Sequence, residues 1–370
     1  MLPSLIKAII NGGSSYHHLF GTKKERSPIM TKNTFSIGLD IACDDFVASI
    51  YQSPGKPTIT KEAIKNNSEG FGMLISWLKE HNIDCTNSVI CMEATGVYSE
   101  AIAYYLSTYG FKVSVEPPLK VKRAFDPVGH KTDPVDSKQI AEYAYRYSDE
   151  LKFWQPREDI LEKIKQLLTA REQFTKQSTA IQNAMTSYKR HVVQVPLIVR
   201  THHETLKELK KHIAEIDKEL DRLIRQNPII SQMSNQLKSI PGVGLLLASD
   251  LISITGAFND ISSYKTLSAF LGICPYQHRS GKSIYKAPHI RNFGPTYARK
   301  LLMLAARSVA THNIAFRKYY LRKLAEGKAK QLVLNNIANK IIKIACALIK
   351  NNSQYIEGYY SVSPLCLNLT

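Results

Sequence analysis

Acidic residues are scarce relative to basic residues in this sequence. The 370 residues include 31 Asp and Glu against 49 Lys and Arg, which gives a formal net charge of +18 at pH 7. This excess of positive charge indicates a polyanionic partner, and it favours nucleic acid over an anionic membrane surface. Charge alone identifies no activity, because a basic protein need not bind nucleic acid.

Cysteine motifs and long apolar runs are also missing. The six cysteines form no Cys-x-x-Cys pair and no Cys/His zinc spacing, so they are predicted to be reduced and mostly buried in a cytosolic protein. No apolar run reaches membrane-spanning length in this reading, which predicts a soluble protein without a membrane partner. Residues 1–32 carry no convincing signal peptide and are predicted to be an appended, flexible segment.

The chain length and an apolar content of 44% fit two or three globular domains. In the first, residues 33–152, short apolar runs and helical patterns follow the order β-β-β-α-β-α-β-α. The predicted strands are Thr34–Ala42, Asp44–Gln52, Thr58–Lys65, Ser88–Met92 and Lys112–Val115. This order predicts an α/β domain with a mixed sheet flanked by helices.

Four acidic residues fall at related places in this domain. Asp133 and Asp136 lie one turn apart at a helix start, where the helix dipole favours anions and exposed acids are common. Asp40 lies on the first strand and Glu93 ends the fourth, and the ends of central strands are where α/β sheets place their sites. Four converging carboxylates repel one another unless cations neutralise them, and hard oxygen ligands suit Mg²⁺ or Mn²⁺. The alternative is four unrelated surface acids.

Residues 153–230 change to long helical patterns. Apolar positions recur alternately every four and three residues over 160–188, and the same spacing resumes from Leu206 to Leu223. The spacing predicts two coiled-coil arms separated by a turn at Pro196. The arms either fold back as a helical hairpin or pair with other subunits, and an ordinary bundle core is a third possibility. Their narrow seams and charged outer positions favour assembly into a dimer or tetramer.

Residues 231–350 are predicted to form a mainly helical domain, followed by a tail over 351–370. The turn Gly242-Val243-Gly244 is similar to a helix-hairpin-helix, whose backbone amides hold a DNA phosphate, although a tight helix–helix turn explains it equally well. The segment Leu271–Lys282 is predicted to be a polar loop in which cations surround Ser280. A serine hydroxyl is a poor nucleophile without a base, a metal or positive charge beside it.

Basic residues near the acidic motif and the serine loop are the candidate nucleic-acid contacts. They are Lys131, Arg279, Lys282, Lys286, Arg291 and Arg299. Aromatic residues lie among the downstream cations, a mixture that suits phosphate contacts with some base stacking. Charge runs are commonly solvated faces, so each of these residues has a plain surface alternative.

Three acidic motifs together resemble those of a known family. Gly38-Leu39-Asp40, Met92-Glu93-Ala94-Thr95-Gly96 and Lys131-Thr132-Asp133-Pro134-Val135-Asp136 look like the DEDD transposases, which are insertion-sequence recombinases related to the Piv-type DNA invertases. Matched residue by residue, the family's tetrad falls on Asp40, Glu93, Asp133 and Asp136. Pro275 to Gly281 matches the family's Pro-x-x-x-x-Ser-Gly, with its essential serine at Ser280. Ser137 departs from the pattern, because relatives usually carry Ala there. The likeness covers roughly residues 33–350.

The resemblance implies an RNase H/RuvC-like catalytic domain, a Mg²⁺ cofactor on the four acids and Ser280 as the nucleophile. It further implies a DNA transposase in the prokaryotic cytoplasm, associated with the nucleoid and directed by a structured guide RNA of the bridge-RNA type. An invertase of the same family is an alternative. Two other rivals are a RuvC-like junction endonuclease, which needs no serine, and a non-enzymatic nucleic-acid scaffold, in which the acids are structural.

Overall fold

A computed structural model describes residues 34–125, 132–274, 276–280, 284–289 and 294–357. For residues 276–280 and 284–289 it describes the backbone alone. The chain divides into two compact units, Met1–Pro156 and Arg157–Thr370. The predicted appended segment 1–32 and the tail beyond residue 357 lie outside the described residues.

The first unit is built on a five-stranded mixed sheet. Its strands are β1 (Phe35–Ile41), β2 (Asp45–Tyr51), β3 (Ile59–Lys65), β4 (Ser88–Glu93) and β5 (Lys112–Glu116). Their order is β3-β2-β1-β4-β5. The first three strands are antiparallel neighbours, whereas β1–β4 and β4–β5 are parallel pairs. The predicted α/β class and mixed sheet are confirmed.

Helices cover both faces of this sheet. They are α1 (Ser68–Glu80), α2 (Val97–Thr108), the short α3 (Pro118–Lys122) and α4 (Asp133–Arg146). Because side chains alternate along a strand, Leu39 and Met92 point to the face that packs with α1 and α2. Cys91 points the other way and packs with Ile140 and Tyr143 of α4. Apolar strands covered on both sides are what parallel pairing requires.

The second unit begins with the two predicted arms, α5 (Asp159–Tyr188) and α6 (Pro196–Gln226). They pack against each other as a helical hairpin, so the first of the three possibilities is the observed one within this chain. Between the helices, Arg171 Nε and Nη2 donate to the two carboxylate oxygens of Asp217 at 2.6 and 3.0 Å. Pro196 occupies the start of α6, where its missing N–H costs no helix hydrogen bond.

The remaining elements of the second unit are mostly helical. They are α7 (Pro228–Lys238), α8 (Leu245–Ile254), α9 (Tyr264–Phe270), β6 (Tyr276–Ser280), β7 (Ile284–His289), α10 (Thr296–His312), α11 (Ile314–Ala325) and α12 (Lys330–Lys350). The base of the hairpin belongs to the same core, because Leu161, Ile164 and Ile224 cluster with Leu251 and Leu302. The predicted mainly helical region is confirmed, and its core includes the base of both arms.

A two-stranded antiparallel hairpin replaces part of the predicted polar loop. Backbone pairing sets Arg279 opposite Tyr285 and Ser280 opposite Ile284. The loop prediction was wrong because β6 is polar along its whole length and shows no apolar alternation. Pairing with β7, which carries β-favouring Ile284 and Tyr285, satisfies its backbone groups instead.

Helix α12 corrects the expectation about apolar runs. It is long and apolar enough to cross a membrane by length and composition, with a mean hydropathy of 1.5 over its 18-residue window. Half of that window is buried inside the protein, and Ile337, Ile341 and Ala345 belong to the core of the second unit. Its apolar character is therefore explained by packing, because a core helix passes the same test.

Five cysteines are described by the structure, and no disulfide joins any two of them. Cys91 and Cys346 are buried, Cys85 and Cys274 are half-buried, and Cys43 is exposed. Burial raises the pKa of the Cys346 thiol to about 11, so this group stays protonated at neutral pH. The predicted absence of disulfides is confirmed for these five, whereas the expectation of mostly buried thiols holds for two of them.

Candidate active site

Asp40 and Glu93 lie side by side on neighbouring strands. Strands β1 and β4 run parallel in a register that ends with Leu39 opposite Met92, so the next residue of each strand is one of these acids. Strands in a sheet lie about 4.8 Å apart, which brings the two backbones within reach of a shared ligand. Both side chains are half-buried at the C-terminal ends of the strands, where the sequence predicted them.

Gly38 allows α4 to approach this part of the sheet closely. A Cβ atom at Gly38 would lie 2.2 Å from the Ser137 carbonyl oxygen and 2.3 Å from the Ala141 nitrogen. Gly38 and Asp40 are two residues apart and therefore point to the same face. The helix that carries Asp133 and Asp136 thus crosses β1 on the face toward which Asp40 points.

The two aspartates occupy the first turn of α4. Thr132 is extended and begins the helix, and its carbonyl oxygen accepts the amide hydrogens of Val135 at 2.9 Å and Asp136 at 3.0 Å. Asp133 is exposed and Asp136 is half-buried. Their carboxylates lie at the positive end of the helix dipole, which stabilises anions there and attracts no cation by itself.

Ser137 fits this helix without disturbing it. Its hydroxyl lies 2.7 Å from the Ser49 hydroxyl on β2 and donates to the Pro134 carbonyl oxygen at 3.1 Å. The side chain is fully buried, yet its polar atom has partners. The departure from the family pattern is therefore accommodated, as expected for so small a residue.

Glu116 is an acid at this edge of the sheet that the sequence reasoning missed. Parallel pairing sets it opposite Glu93, so Asp40, Glu93 and Glu116 form a row across β1, β4 and β5. Glu116 is only 5% exposed, and it accepts from Ser114 Oγ at 2.9 Å and pairs with Lys120 Nζ at 3.1 Å. The sequence offered one signal for this pair: Lys120 follows Glu116 by four residues, a spacing at which opposite charges can meet.

A buried thiol, that of Cys91, lies beside this row of acids. Burial is the main cause of the raised pKa of Cys91, and the negative charges of Glu116 and Glu93 add to it. Cys91 lies two residues before Glu93 on β4, so both point to the face covered by α4. Glu116 pairs with Glu93 in the parallel register and therefore lies on the same face.

The fit of these residues to a metal ion can be tested on their chemistry and placement. The four predicted ligands offer only carboxylate oxygens, which suit hard ions such as Mg²⁺ or Mn²⁺. In the described part of the chain, however, no three His, Cys, Asp or Glu side chains are grouped closely enough to hold a metal ion. The donor chemistry therefore fits, and the four-carboxylate geometry stays a prediction.

The predicted nucleophile lies in the second unit. Ser280 is the last residue of β6, opposite Ile284 of β7, and the structure describes its backbone. Arg279 and Lys286 lie on the same two strands, whereas Lys131, Lys282 and Arg291 fall outside the described residues. The roles assigned to these residues remain predictions.

Arg299 and the Gly-x-Gly turn have structural contacts within the second unit. Arg299 Nε donates to the Leu271 carbonyl oxygen at 3.0 Å, which ties α10 to the end of α9. Gly242 has a φ of +79°, and a Cβ there would lie 2.7 Å from Val309 Cγ1 of α10. The glycine turn is thus accounted for by a left-handed backbone and close helix packing.

Comparisons with known proteins agree with this architecture. A family model described as a transposase, of the DEDD type of IS110, matches residues 37–192. A second, described as the transposase IS116/IS110/IS902 family, matches residues 234–321. The pilin gene-inverting protein of Moraxella lacunata is 28% identical over 326 residues, which cover 86% of this chain and 97% of that protein.

A transposase is also similar over nearly the whole chain. The transposase for insertion sequence element IS1111A of Coxiella burnetii is 25% identical over 373 residues, covering 92% of this chain and 96% of that protein. The two family models together match about two thirds of the residues. The first range contains all four predicted acids, and the second contains Ser280. The chain belongs to the IS110/IS116/IS902 family of DEDD transposases and is a DNA transposase or recombinase.

Proposed function

We propose that this transposase cuts and rejoins DNA strands with Ser280 as the nucleophile and with Asp40, Glu93, Asp133 and Asp136 as ligands of Mg²⁺. The observation that carries the proposal is the parallel register that sets Asp40 beside Glu93, on the face crossed by the helix that begins at Asp133. DEDD transposases typically depend on a metal, and the ion would supply charge stabilisation at the scissile phosphate.

The serine step is written as a transesterification. Ser280 Oγ forms a bond to phosphorus, one deoxyribose oxygen leaves and takes up a proton, and the serine loses its own proton. Attack by a second strand end on the phosphoserine ester reverses these changes and restores the serine. The energy of the phosphodiester is kept in the protein–DNA ester, so rejoining needs no added cofactor.

A covalent adduct is the direct test of this step. The full-length protein is incubated with Mg²⁺ and DNA carrying the ends of its element, and the products are separated on a denaturing gel. We expect a protein–DNA adduct with the native protein and with Ser262→Ala, an exposed serine of the same unit, and none with Ser280→Ala. Normal recombination by Ser280→Ala would show that the serine mechanism is wrong and would favour the junction endonuclease.

Metal binding by the acids is tested separately. Calorimetric titration of Mn²⁺ should show binding to the native protein and to Asp149→Asn, an exposed acid after the same helix, and loss of binding in Asp136→Asn. Absence of binding to the native protein would instead support the nucleic-acid scaffold, in which the four acids are structural. Equal binding by all three proteins would place the ion away from Asp136 and contradict the proposed site.

We also propose assembly into a dimer or tetramer through the tip of the helical hairpin. Five apolar side chains are exposed there, namely Val192, Val193, Val195, Leu197 and Ile198. Apolar surface of this kind is typical of protein–protein contacts. Light scattering should show that Val192→Glu with Val193→Glu lowers the molecular mass in solution, and an unchanged mass would exclude the tip as the contact.

A structured guide RNA and a role on nucleoid DNA complete the proposal, supported by the net charge of +18. RNA that copurifies with the protein and restores strand exchange after nuclease treatment would support the guide. The invertase alternative is favoured by the gene-inverting relative, which this chain matches over 97% of that protein's length. Plasmids with either inverted repeats or separate donor and target sites distinguish inversion from transposition.

A further inference from the structure

The second unit contains a cavity to which the proposed chemistry assigns no role. It has a volume of about 210 Å³ and lies among α5, α8, the end of α9 and the start of α10. Asp250 of α8 lines it and is only 7% exposed. Among the described residues, Asp250 Oδ2 is buried and has no hydrogen-bond partner. The Tyr297 hydroxyl also lines the cavity and lies beside the Arg171 guanidinium.

Among the charged side chains that line the cavity in the described structure, Asp250 differs from Glu172 and Lys165 in having no ion-pair partner. Glu172, on α5, pairs with Lys176 at 2.8 Å. Lys165, also on α5, pairs with Glu162 at 3.1 Å. Buried polar groups without partners are rare and costly, so a group with hydrogen-bond donors is the expected occupant beside Asp250.

Burial changes the acidity of this carboxyl group. Burial, and secondarily the negative charge of Glu172, raise the pKa of Asp250 to about 7. The Tyr297 hydroxyl on α10 and the cations Arg157 and Lys165 are the other titratable or charged groups that face the cavity. A ligand that donates hydrogen bonds would favour the ionised form of Asp250 and would lower the pKa of this carboxyl group below its value in the free protein.

The rim of the cavity has a different character from its interior. The side chains of Arg157 and Lys165 are 37% and 52% exposed, and Arg157 also pairs with Asp260 at 3.4 Å. Phe270 is 40% exposed and supplies an aromatic surface at the same opening. A matching ligand would have hydrogen-bond donors that reach Asp250 inside the cavity. At the opening it would have a flat ring against Phe270 and a negative charge near Arg157 and Lys165.

A nucleotide has these three parts in this order. We propose that the cavity takes one unpaired base of a nucleic-acid strand, with guanine preferred, its Watson–Crick edge on Asp250 and its phosphate beside Arg157 and Lys165. Guanine presents two adjacent donors, N1–H and the N2 amino group, to the two oxygens of a carboxylate. The volume equals that of roughly seven liquid waters, which is enough for one base and too little for a base pair.

The inference rests on the nucleic-acid substrate of the family and not on the serine step. Extruded bases are read in this way by other proteins, through hydrogen bonds to the Watson–Crick edge and aromatic stacking. A base held here would fix the position of a strand in the second unit. The occupant would be unpaired, so a loop, a bulge or a single strand is required.

Guanosine and inosine monophosphates provide the sharpest test, because they differ by the N2 amino group alone. In calorimetric titrations of the full-length protein at pH 8, GMP should bind roughly tenfold more tightly than IMP. The preference should disappear in Asp250→Asn and persist in Asp221→Asn, which removes a half-buried acid of α6 that pairs with Arg225 and does not line the cavity. Equal affinities for GMP and IMP in the native protein would overturn the proposal.

Three further measurements complete the design. The affinity for GMP should fall roughly tenfold from pH 8 to pH 6 as Asp250 gains its proton, and no change would contradict the carboxylate contact. Comparing GMP with dGMP, and then RNA with DNA single strands, identifies the source of the base. Ser280→Ala should bind GMP normally, so a failed serine mechanism and a failed base site give different results.

Discussion

Replacing Gly38 by Ala tests whether the approach of α4 to the sheet positions the acids. The added methyl group would lie 2.2 Å from the Ser137 carbonyl oxygen and 2.3 Å from the Ala141 nitrogen. Ordinary contacts between heavy atoms begin near 3.5 Å, so α4 and β1 must separate by about 1 Å. Both opposing atoms are backbone, and no rotation of a side chain can relieve the overlap.

The cost can be estimated from the two effects that oppose each other. Overpacking a buried contact destabilises a protein by about 1–3 kcal/mol. Alanine recovers about 0.4–1 kcal/mol, because it restricts the unfolded chain more than Gly38 does. Since the clash is with backbone, we expect a net loss near 2 kcal/mol. Strand cleavage should fall by up to about 100-fold, because α4 carries Asp133 and Asp136 and a shift of 1 Å misplaces catalytic groups.

Urea unfolding and a DNA cleavage assay measure the two effects. Gly72→Ala is the matched control, because Gly72 lies in α1 of the same unit and the nearest atom to an added Cβ is the Tyr105 hydroxyl oxygen at 4.0 Å. That change should stabilise the helix by about 0.5–1 kcal/mol and leave cleavage unchanged. If Gly38→Ala is as stable and active as the native protein, the close approach of α4 does not position the site.

Three other predictions follow from the described contacts. Arg171→Lys should destabilise the protein by about 1 kcal/mol in urea unfolding, because Lys cannot reproduce the two-point contact with the partly exposed Asp217. Ser137→Ala should cost less than about 1 kcal/mol, because Ser49 keeps another hydroxyl partner. Asp250 has a folded pKa near 7 against 3.8 in the unfolded chain, so the folded state binds more protons and stability falls from pH 4 to 7, by at most roughly 4 kcal/mol. Asp250→Asn should remove this part of the pH dependence.

Each of these has a control and a contradicting result. Arg222→Ala removes an exposed intrahelical pair with Glu219 and should leave stability nearly unchanged, because solvent screens such a pair. An equal loss of stability at both arginines would show that the interhelical pair has no special role. Thr60 Oγ1 lies 3.0 Å from Ser49 Oγ, and Ser137→Ala should become costlier when Thr60→Val is added. Unfolding of Asp250→Asn with an unchanged slope against pH would show that Asp250 is not the titrating group.

The strands and the identity of the acids could be read from the sequence because both leave local signals. Apolar runs such as Thr34–Ala42 have the length and composition of covered strands, and Asp40 and Glu93 interrupt them at their ends. Strand β6 leaves no such signal, since its residues show no apolar alternation and it forms by pairing with β7. The sequence also could not predict which helix packs against each arm, because a narrow apolar seam does not specify its partner.

Glu116 shows why an active site cannot be read from acids alone. It occupies the position in β5 that Glu93 occupies in β4, and both point to the face beneath α4. Ser114 and Lys120 supply a hydrogen bond and an opposite charge to Glu116, which is nearly buried. A carboxylate compensated in this way is held by the protein and is a poor candidate for a metal ligand.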